Sequence, residues 1–235
     1  MEIATLPFLR LLQLADSALP IGSAAHSYGL ESMTVEEHLT VAQLEDFLRI
    51  YLAENGVLES TFCRLGYRLA ELTDSTQYME QWVQLNTRLS AYKTARESRT
   101  ASATLGRRLL QLVASLEDAA QLYQALASAK REHTDNHYSI AFGLVGAILR
   151  VDEDVVVLAY LQQSLTGLIS ACQRLLPLGQ NQASGMLWHL KSSLIEIAEQ
   201  SERASEHPDE LMLFTPLLDI GSMSHPLLDT RLFIS

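Results

Sequence analysis

The sequence has few of the residues that support secretion or metal binding, since only two of its 235 residues are cysteines. Cys63 and Cys172 lie far apart, lack a Cys-x-x-Cys spacing and occupy apolar helical contexts, which predicts buried thiols rather than a metal site. The N-terminus has no basic region typical of a signal peptide, and no apolar run approaches the ~18 residues of a membrane span. We therefore expect a cytoplasmic chain without a membrane segment.

Clustered cations and the common catalytic motifs are also missing. The formal net charge is −11, whereas nucleic-acid binding needs clustered lysine and arginine, so we expect no nucleic-acid partner. The chain has no Gly-x-x-x-x-Gly-Lys and no Gly-x-Gly-x-x-Gly sequence, and no pair of carboxylates stands out. These absences predict a protein that is not an enzyme, with no catalytic residue, cofactor or resident metal.

With only six prolines and eleven glycines, the composition favours helix over sheet. The clearest helical period lies in residues 155–176, where large apolar residues recur every three or four positions. No segment shows the alternation of a strand. We predict one all-α domain over residues 1–235, a bundle of about eight to ten helices, with a less regular tail at 209–235.

The individual helices are placed by apolar spacing and by residues that start or end helices. Thr40 followed by Gln43 resembles a capping box, which predicts a helix start, and residues 201–209 are polar and are expected to be irregular. The expected helices cover about 7–18, 40–55, 59–72, 77–87, 91–116, 119–130, 138–149, 155–176 and 182–200.

Two segments favour recognition over chemistry. The last eleven residues, His225–Ser235, include the large apolar residues Leu227, Leu228, Leu232 and Phe233 around Arg231, and such a tail is expected to dock on its own domain or on a partner. The segment Leu19–Glu31 is rich in small residues that let backbones approach closely, which predicts a packed turn or a docking surface.

Charge is unevenly distributed along the chain. The first sixty residues carry nine acids against two arginines, whereas residues 88–108 carry six cations against Glu97 alone. Within the basic segment, Arg96 and Arg99 share a helix face and suit the binding of carboxylates. Those carboxylates belong either to a partner or to the acidic N-terminal helices, and the sequence leaves both alternatives open.

His133 and His137 have the i, i+4 spacing that brings two imidazoles to one metal on a helix. The three residues between them favour caps and turns, so we expect one helix to end and another to begin here, which separates the two rings. A structural role is the preferred interpretation.

Five blocks of the sequence resemble a known family over essentially the whole chain. They are LLQLADSALPIGSAAHSYGLES, ARESRTASATLGRRLL, HYSIAFGLVGAIL, LLPLGQ and PLLDIGSMSHPLLDTRLFIS, and their order and spacing are similar to those of the urease accessory protein UreF. The resemblance implies an all-helical, non-catalytic homodimer that bridges UreD (also called UreH) and the GTPase UreG. That assembly inserts nickel into apo-urease with GTP hydrolysis, which UreF-like proteins modulate.

The resemblance also implies that the tail 209–235 becomes ordered when UreD binds, with Arg231 near the turn Gly22–Gly29. The partner-binding residues expected from the tail, the turn and the basic face are Gly22, Ser23, His26, Ser27, Tyr28, Arg96, Arg99, His225, Arg231, Leu232 and Phe233. An alternative function is direct nickel binding by histidines, with His26, His133, His137 and His225 as the candidate ligands.

Overall fold

All regular structure in the described part of the chain is helical, which confirms the all-α prediction. The computed structural model describes residues 5–35, 39–211 and 216–234. Residues 1–4, 36–38, 212–215 and 235 lie outside the described residues, and with them part of the 209–235 segment and three of the nine N-terminal acids. The α-helices are α1 (Thr5–Leu14), α2 (Leu30–Val35), α3 (Leu44–Tyr51), α4 (Val57–Arg68), α5 (Ser75–Tyr92), α6 (Arg96–Ala114), α7 (Ala120–Glu132), α8 (Tyr138–Ile148), α9 (Glu153–Leu175), α10 (Gln180–His189), α11 (Lys191–Glu206) and α12 (Pro216–Ser224).

Several helices begin where a polar side chain caps the first turn. Asp74 accepts hydrogen bonds from the amides of Thr76 and Gln77 at the start of α5, and Asp152 caps α9 in the same way. The predicted capping box is confirmed, because the amide of Thr40 donates to Gln43 Oε1 over 3.1 Å. These caps satisfy amides that have no partner within their own helix.

Helix α8 is the centre of the core, between α4 and α6. All residues from Tyr138 to Gly146 are buried, so this helix is apolar on every side. A Cβ atom on Gly143 would lie 1.9 Å from the carbonyl oxygen of Cys63, and one on Gly66 would lie 2.3 Å from that of Ile140. Helices α4 and α8 therefore pack backbone against backbone, which only glycine allows.

Helix α9 confirms the leucine period of the sequence. Leu161, Leu165, Leu168 and Cys172 are all buried along one side of it. By length and hydropathy this helix could cross a membrane, although the sequence predicted no such segment; 56% of its most apolar stretch is buried inside the protein. It packs on α4, α8, α10 and α11, and a core helix of this kind passes the same test of length and hydropathy.

The expected break between residues 55 and 59 is wrong. Leu52–Gly56 forms a π-helical turn that joins α3 to α4 without interruption. Gly56 stays helical, and a Cβ there would come within 3.3 Å of the Ile197 side chain on α11. The glycine therefore serves close helix packing instead of ending the helix.

The polar stretch 201–209 was expected to be irregular, but it is helical as far as Glu206. The expected helix 182–200 is divided at Leu190 into α10 and α11. Ser201 is fully buried and accepts a hydrogen bond from Arg64 Nε over 3.0 Å. Arg64 also forms ion pairs with Glu153 and Asp154 at 2.9 and 2.7 Å. Because this arginine joins α4 to α9 and α11, polar residues in α11 face inward here.

The prediction of buried thiols is confirmed. Cys63 and Cys172 are both free and fully buried. Burial raises the pKa of Cys172 to about 12 and also raises the pKa of Cys63, so neither thiol ionises near neutral pH.

Candidate partner-docking site

The N-terminal turn between α1 and α2 is held in a shape that two glycines permit. Gly22 and Gly29 have φ angles of 91° and 86°, in the left-handed region that other residues rarely adopt. Arg108 from α6 donates through Nη1 to the carbonyl of Ile21 over 2.9 Å. The turn is thereby fixed to the body of the protein at its first glycine.

Glu31, in the first turn of α2, holds the C-terminal tail. Its Oε1 accepts a hydrogen bond from the amide of Leu232 over 2.6 Å, and its Oε2 accepts one from the amide of Phe233 over 3.1 Å. His225 Nε2 lies 2.8 Å from the same Oε2. Only 4% of the Glu31 surface is exposed, so a single buried carboxylate binds the tail at three points.

The environment of Glu31 favours its ionised form. Burial alone would raise the pKa of this carboxyl, but the Leu232 amide, the His225 imidazole and the Phe233 amide together lower it. The carboxylate is therefore charged at neutral pH, which strengthens each hydrogen bond that it accepts.

The last described residues alternate between the protein and the solvent. Phe233 is 5% exposed, and the guanidinium carbon of Arg174 lies 4.1 Å from its ring centroid. The amide of Ile234 donates to the carbonyl of Ala25 in the turn over 2.9 Å. Leu232 and Ile234 point outward, with 61% and 74% of their surfaces exposed.

Helix α12 continues the same contact onto α2 and α6. Ser98 Oγ donates to Ser222 Oγ over 2.9 Å, and Thr94 donates to the Asp219 carboxylate. A Cβ on Gly221 would lie 3.0 Å from the carbonyl oxygen of Gly29, so α12 lies close against the turn. Tail and α12 together cover one side of the bundle.

The structure brings the predicted turn and tail residues to one region of the surface. Ser27 and His225 are fully buried there, and the rings of His26 and Tyr28 lie 6.0 Å apart. The remaining predicted residues of this region are Gly22, Ser23, Arg231, Leu232 and Phe233. Arg231 is exposed and forms no ion pair within the described residues, so it is Glu31 that anchors the tail in this structure.

The basic segment behaves in two ways. Lys93 forms a buried ion pair with Glu59 of the acidic N-terminal half, and Arg99 donates to the carbonyl of Lys93 over 2.9 Å. Arg96 is exposed and has no ion-pair partner in the ranges that the structure describes. Internal pairing therefore accounts for Lys93, while Arg96 is available at the surface.

The two histidines with metal-ligand spacing lie on different elements. His133 ends α7 with a φ of 52°, and His137 precedes α8, which confirms the expected boundary between them. His137 is fully buried, with Nδ1 3.1 Å from Ser102 Oγ and Nε2 2.8 Å from Ser90 Oγ. Within the described ranges, no three His, Cys, Asp or Glu residues are grouped to hold one metal ion.

A cavity of about 470 Å³ lies behind the turn and helix α12. Its wall includes the Glu59–Lys93 ion pair and the side chain of Tyr160, which donates to Glu59 Oε2 over 3.3 Å. Burial raises the pKa of Glu59, but the charge and hydrogen bond of Lys93 outweigh burial and lower it. Tyr28 also lines the cavity, with a strained φ of 51°.

Sequence reasoning missed Glu31, Arg174 and the Glu59–Lys93 pair. Glu31 ends the small-residue segment that was singled out, but its partners lie about two hundred positions away, so no local pattern indicates its role. Arg174 lies in the last turn of α9, where a cation is ordinary, and only the fold places it over Phe233.

Comparison with known proteins identifies the family. The UreF family profile matches residues 39–191 of this chain. The chain belongs to the UreF family. A urease accessory protein UreF from Nostoc sp. is 34% identical over 230 residues, which cover 97% of this chain and 96% of the relative. UreF proteins from Haemophilus influenzae (strain PittGG) and Actinobacillus pleuropneumoniae serotype 5b are 32% and 29% identical, each over 96% of this chain and over 94% and 97% of the relative.

Proposed function

We propose that this UreF-family chain is a cytoplasmic accessory protein of urease maturation that has no chemistry of its own. It acts as a scaffold, dimerises, and bridges a UreD-type (UreH-type) protein and the GTPase UreG during GTP-dependent nickel insertion into apo-urease. In that assembly it modulates GTP hydrolysis by UreG. Membership of the UreF family and the helical fold support this proposal.

The observation that carries the proposal is the outward face of the tail. Leu227, Leu232 and Ile234 are 80%, 61% and 74% exposed, although the backbone that carries them is fixed by Glu31. A row of apolar side chains held in place and left in water is suited to a protein partner. Because Glu31 has already ordered the backbone, a partner meets a preformed surface and less entropy is lost on binding.

The test is co-elution of the full-length chain with its UreD-type partner, compared with a variant that carries Leu232→Asp. Leu232 points into solvent, so the fold should persist while a charge enters the centre of the apolar face. We expect binding to weaken at least about tenfold, the size of effect seen when an interface anchor is lost.

Leu116→Asp provides a matched control. Leu116 is 60% exposed, against 61% for Leu232, and lies at the far end of α6 beyond Ala114. This variant should bind the partner as the unmodified chain does. Equal binding by both variants would place the docking surface elsewhere, and failure of the unmodified chain to bind would contradict the scaffold role.

A further inference from the structure

Part of the wall of the cavity belongs to the C-terminal segment. Asp219 and Ser222 of α12 line it, together with Leu105 of α6 and the Glu59–Lys93 pair. The cavity also reaches the surface beside Gly167 and Arg174, which are exposed. Helix α12 therefore closes one side of a chamber that also reaches the surface beside α9.

Among the described side chains, polar contacts connect the segment 216–234 to the body of the protein. Thr94, just before α6, donates to Asp219 of α12, and Ser98 of α6 donates to Ser222. Beyond α12, Phe233 is the one large side chain of residues 228–234 that is buried. The charged hydrogen bonds to Glu31 are the strongest of these contacts, because the acceptor is ionised and removed from water.

We propose that residues 216–234 form a lid over the cavity and that Glu31 is the latch that keeps it closed. With the latch open, the segment leaves α2 and α6, and the α6 side of the cavity is exposed to solvent. Arg174 and Phe233 move apart in the same step, because the ring that lies beneath the guanidinium belongs to the lid.

The chamber beneath the lid is unlike an ordinary packing defect. It contains a buried ion pair, Glu59 with Lys93, whose two side chains are only 8% and 9% exposed. It also contains Tyr28, held at a backbone conformation that residues with a side chain rarely adopt. Opening of a lid over such groups increases the access of a small polar solute or water to them. This inference goes beyond the scaffold role and does not depend on it.

The reaction of an introduced thiol with methyl methanethiosulfonate tests the lid. Leu105→Cys places the thiol in the cavity wall at a position that is 1% exposed, and the two native cysteines are fully buried. Addition of Glu31→Gln to this variant removes the charge of the latch. We expect the labelling rate of Cys at 105 to rise at least about tenfold, since each bond to a buried carboxylate is a charged one.

Two controls separate lid opening from general loosening. Leu109→Cys lies one turn further along α6, is fully buried and does not line the cavity, so its labelling rate should change less than about twofold with Glu31→Gln. Glu80→Gln removes an exposed carboxylate of α5 and should leave both rates unchanged.

Three results would overturn the lid. The first is equal acceleration at positions 105 and 109, which would mean that the whole protein loosens. The second is no acceleration at 105, which would mean that Glu31 is not the latch. The third is a rise in the labelling rate at position 105 with Glu80→Gln as large as the rise with Glu31→Gln. Because the assay uses the isolated chain, its result is independent of whether the chain binds a UreD-type partner.

Discussion

Two contacts in this molecule join segments far apart in the sequence, one by close backbone packing and the other by hydrogen bonds to a buried carboxylate. Helices α4 and α8 meet through glycines so closely that the Cβ of an alanine at Gly143 would overlap the Cys63 carbonyl. The tail is held by one carboxylate, Glu31 of α2, by the ring of Phe233 against Arg174, and by the hydrogen bond from Ile234 to Ala25 in the turn. The first contact depends on shape and the second on a charge.

The lid proposal depends on this difference. At Gly66 and Gly143 the backbones of α4 and α8 are too close for any Cβ, so we expect this contact to stay formed while the tail opens. When solvent reaches Glu31, water can replace the amides of the tail as its hydrogen-bond donors, so losing the tail contacts costs little net free energy. Regions of low local stability are the ones that proteins use for motion and binding.

The largest effect should come from the helix contact. Gly143→Ala places a methyl group 1.9 Å from the Cys63 oxygen, and no side chain can move to relieve it. We expect the free energy of unfolding to fall by about 4 kcal/mol, measured by chemical denaturation.

The matched control for Gly143→Ala is Gly167→Ala in α9. No atom lies within 4 Å of a Cβ at position 167, so the alanine should stabilise the helix by about 0.5–1 kcal/mol through propensity alone. Similar losses from both substitutions would show that the backbone contact of α4 and α8 is not the cause.

A smaller effect is expected when pH is lowered, and the two regions should respond in different ranges. Burial, with help from Lys93 and Arg99, lowers the pKa of His137 from 6.5 to about 3, so the folded core keeps this ring neutral. The unfolded chain therefore binds a proton first, and stability falls by about 1.4 kcal/mol per pH unit below pH 6.5.

The contribution of Glu31 to stability should be lost at a lower pH than that of His137. Because the folded pKa of Glu31 lies below its ordinary value of 4.5, the stability that it provides is present above pH 4.5 and disappears only as pH falls through the lowered pKa. The free energy of unfolding, measured by chemical denaturation at a series of pH values, should depend less on pH between 6.5 and 4.5 for His137→Gln than for the unmodified chain. Parallel curves would contradict the assignment to His137.

The smallest global effect is expected from Glu31→Gln at neutral pH. The substitution keeps a similar shape but loses the charge that binds Leu232, Phe233 and His225, which should reduce the free energy of unfolding by about 1.5 kcal/mol. Amide exchange at residues 232–234 should accelerate far more than exchange in α8. Uniform acceleration would mean that the tail and the core open as one unit.

The sequence predicted the helices whose signals are local. The leucine period of α9 and the capping box at Thr40 depend on neighbours within one or two turns, and both are confirmed. The sequence predicts no helix over Leu30–Val35, because six residues are too few to show a helical period; in the fold, α12 and α9 pack against this helix. The predicted break between residues 55 and 59 is replaced by the π-helical turn Leu52–Gly56, which no local pattern indicates.

The sequence indicated the two segments of the candidate site, the tail and the turn, but not the side chains that hold them together. Composition pointed to the tail and to the small-residue turn as sites of docking. Which tail residue is buried depends on Glu31 and Arg174, which approach Phe233 from two other helices. Contacts of that kind depend on the completed fold and leave no pattern in either segment alone.

The way in which Glu31 binds the tail also fixes the spacing of the chain. One carboxylate engages the amides of two consecutive residues, Leu232 and Phe233, while the imidazole of His225, eight positions before Phe233, contacts the oxygen that Phe233 also binds. Leu232 and Ile234, on either side of the buried Phe233, are 61% and 74% exposed, so consecutive side chains here alternate between solvent and protein. Insertion of one residue after Asp229 would therefore turn an aliphatic side chain into the slot and the aromatic ring into water, with the composition almost unchanged. In this tail, the number of residues between the histidine and the phenylalanine specifies the contact as much as their identity does.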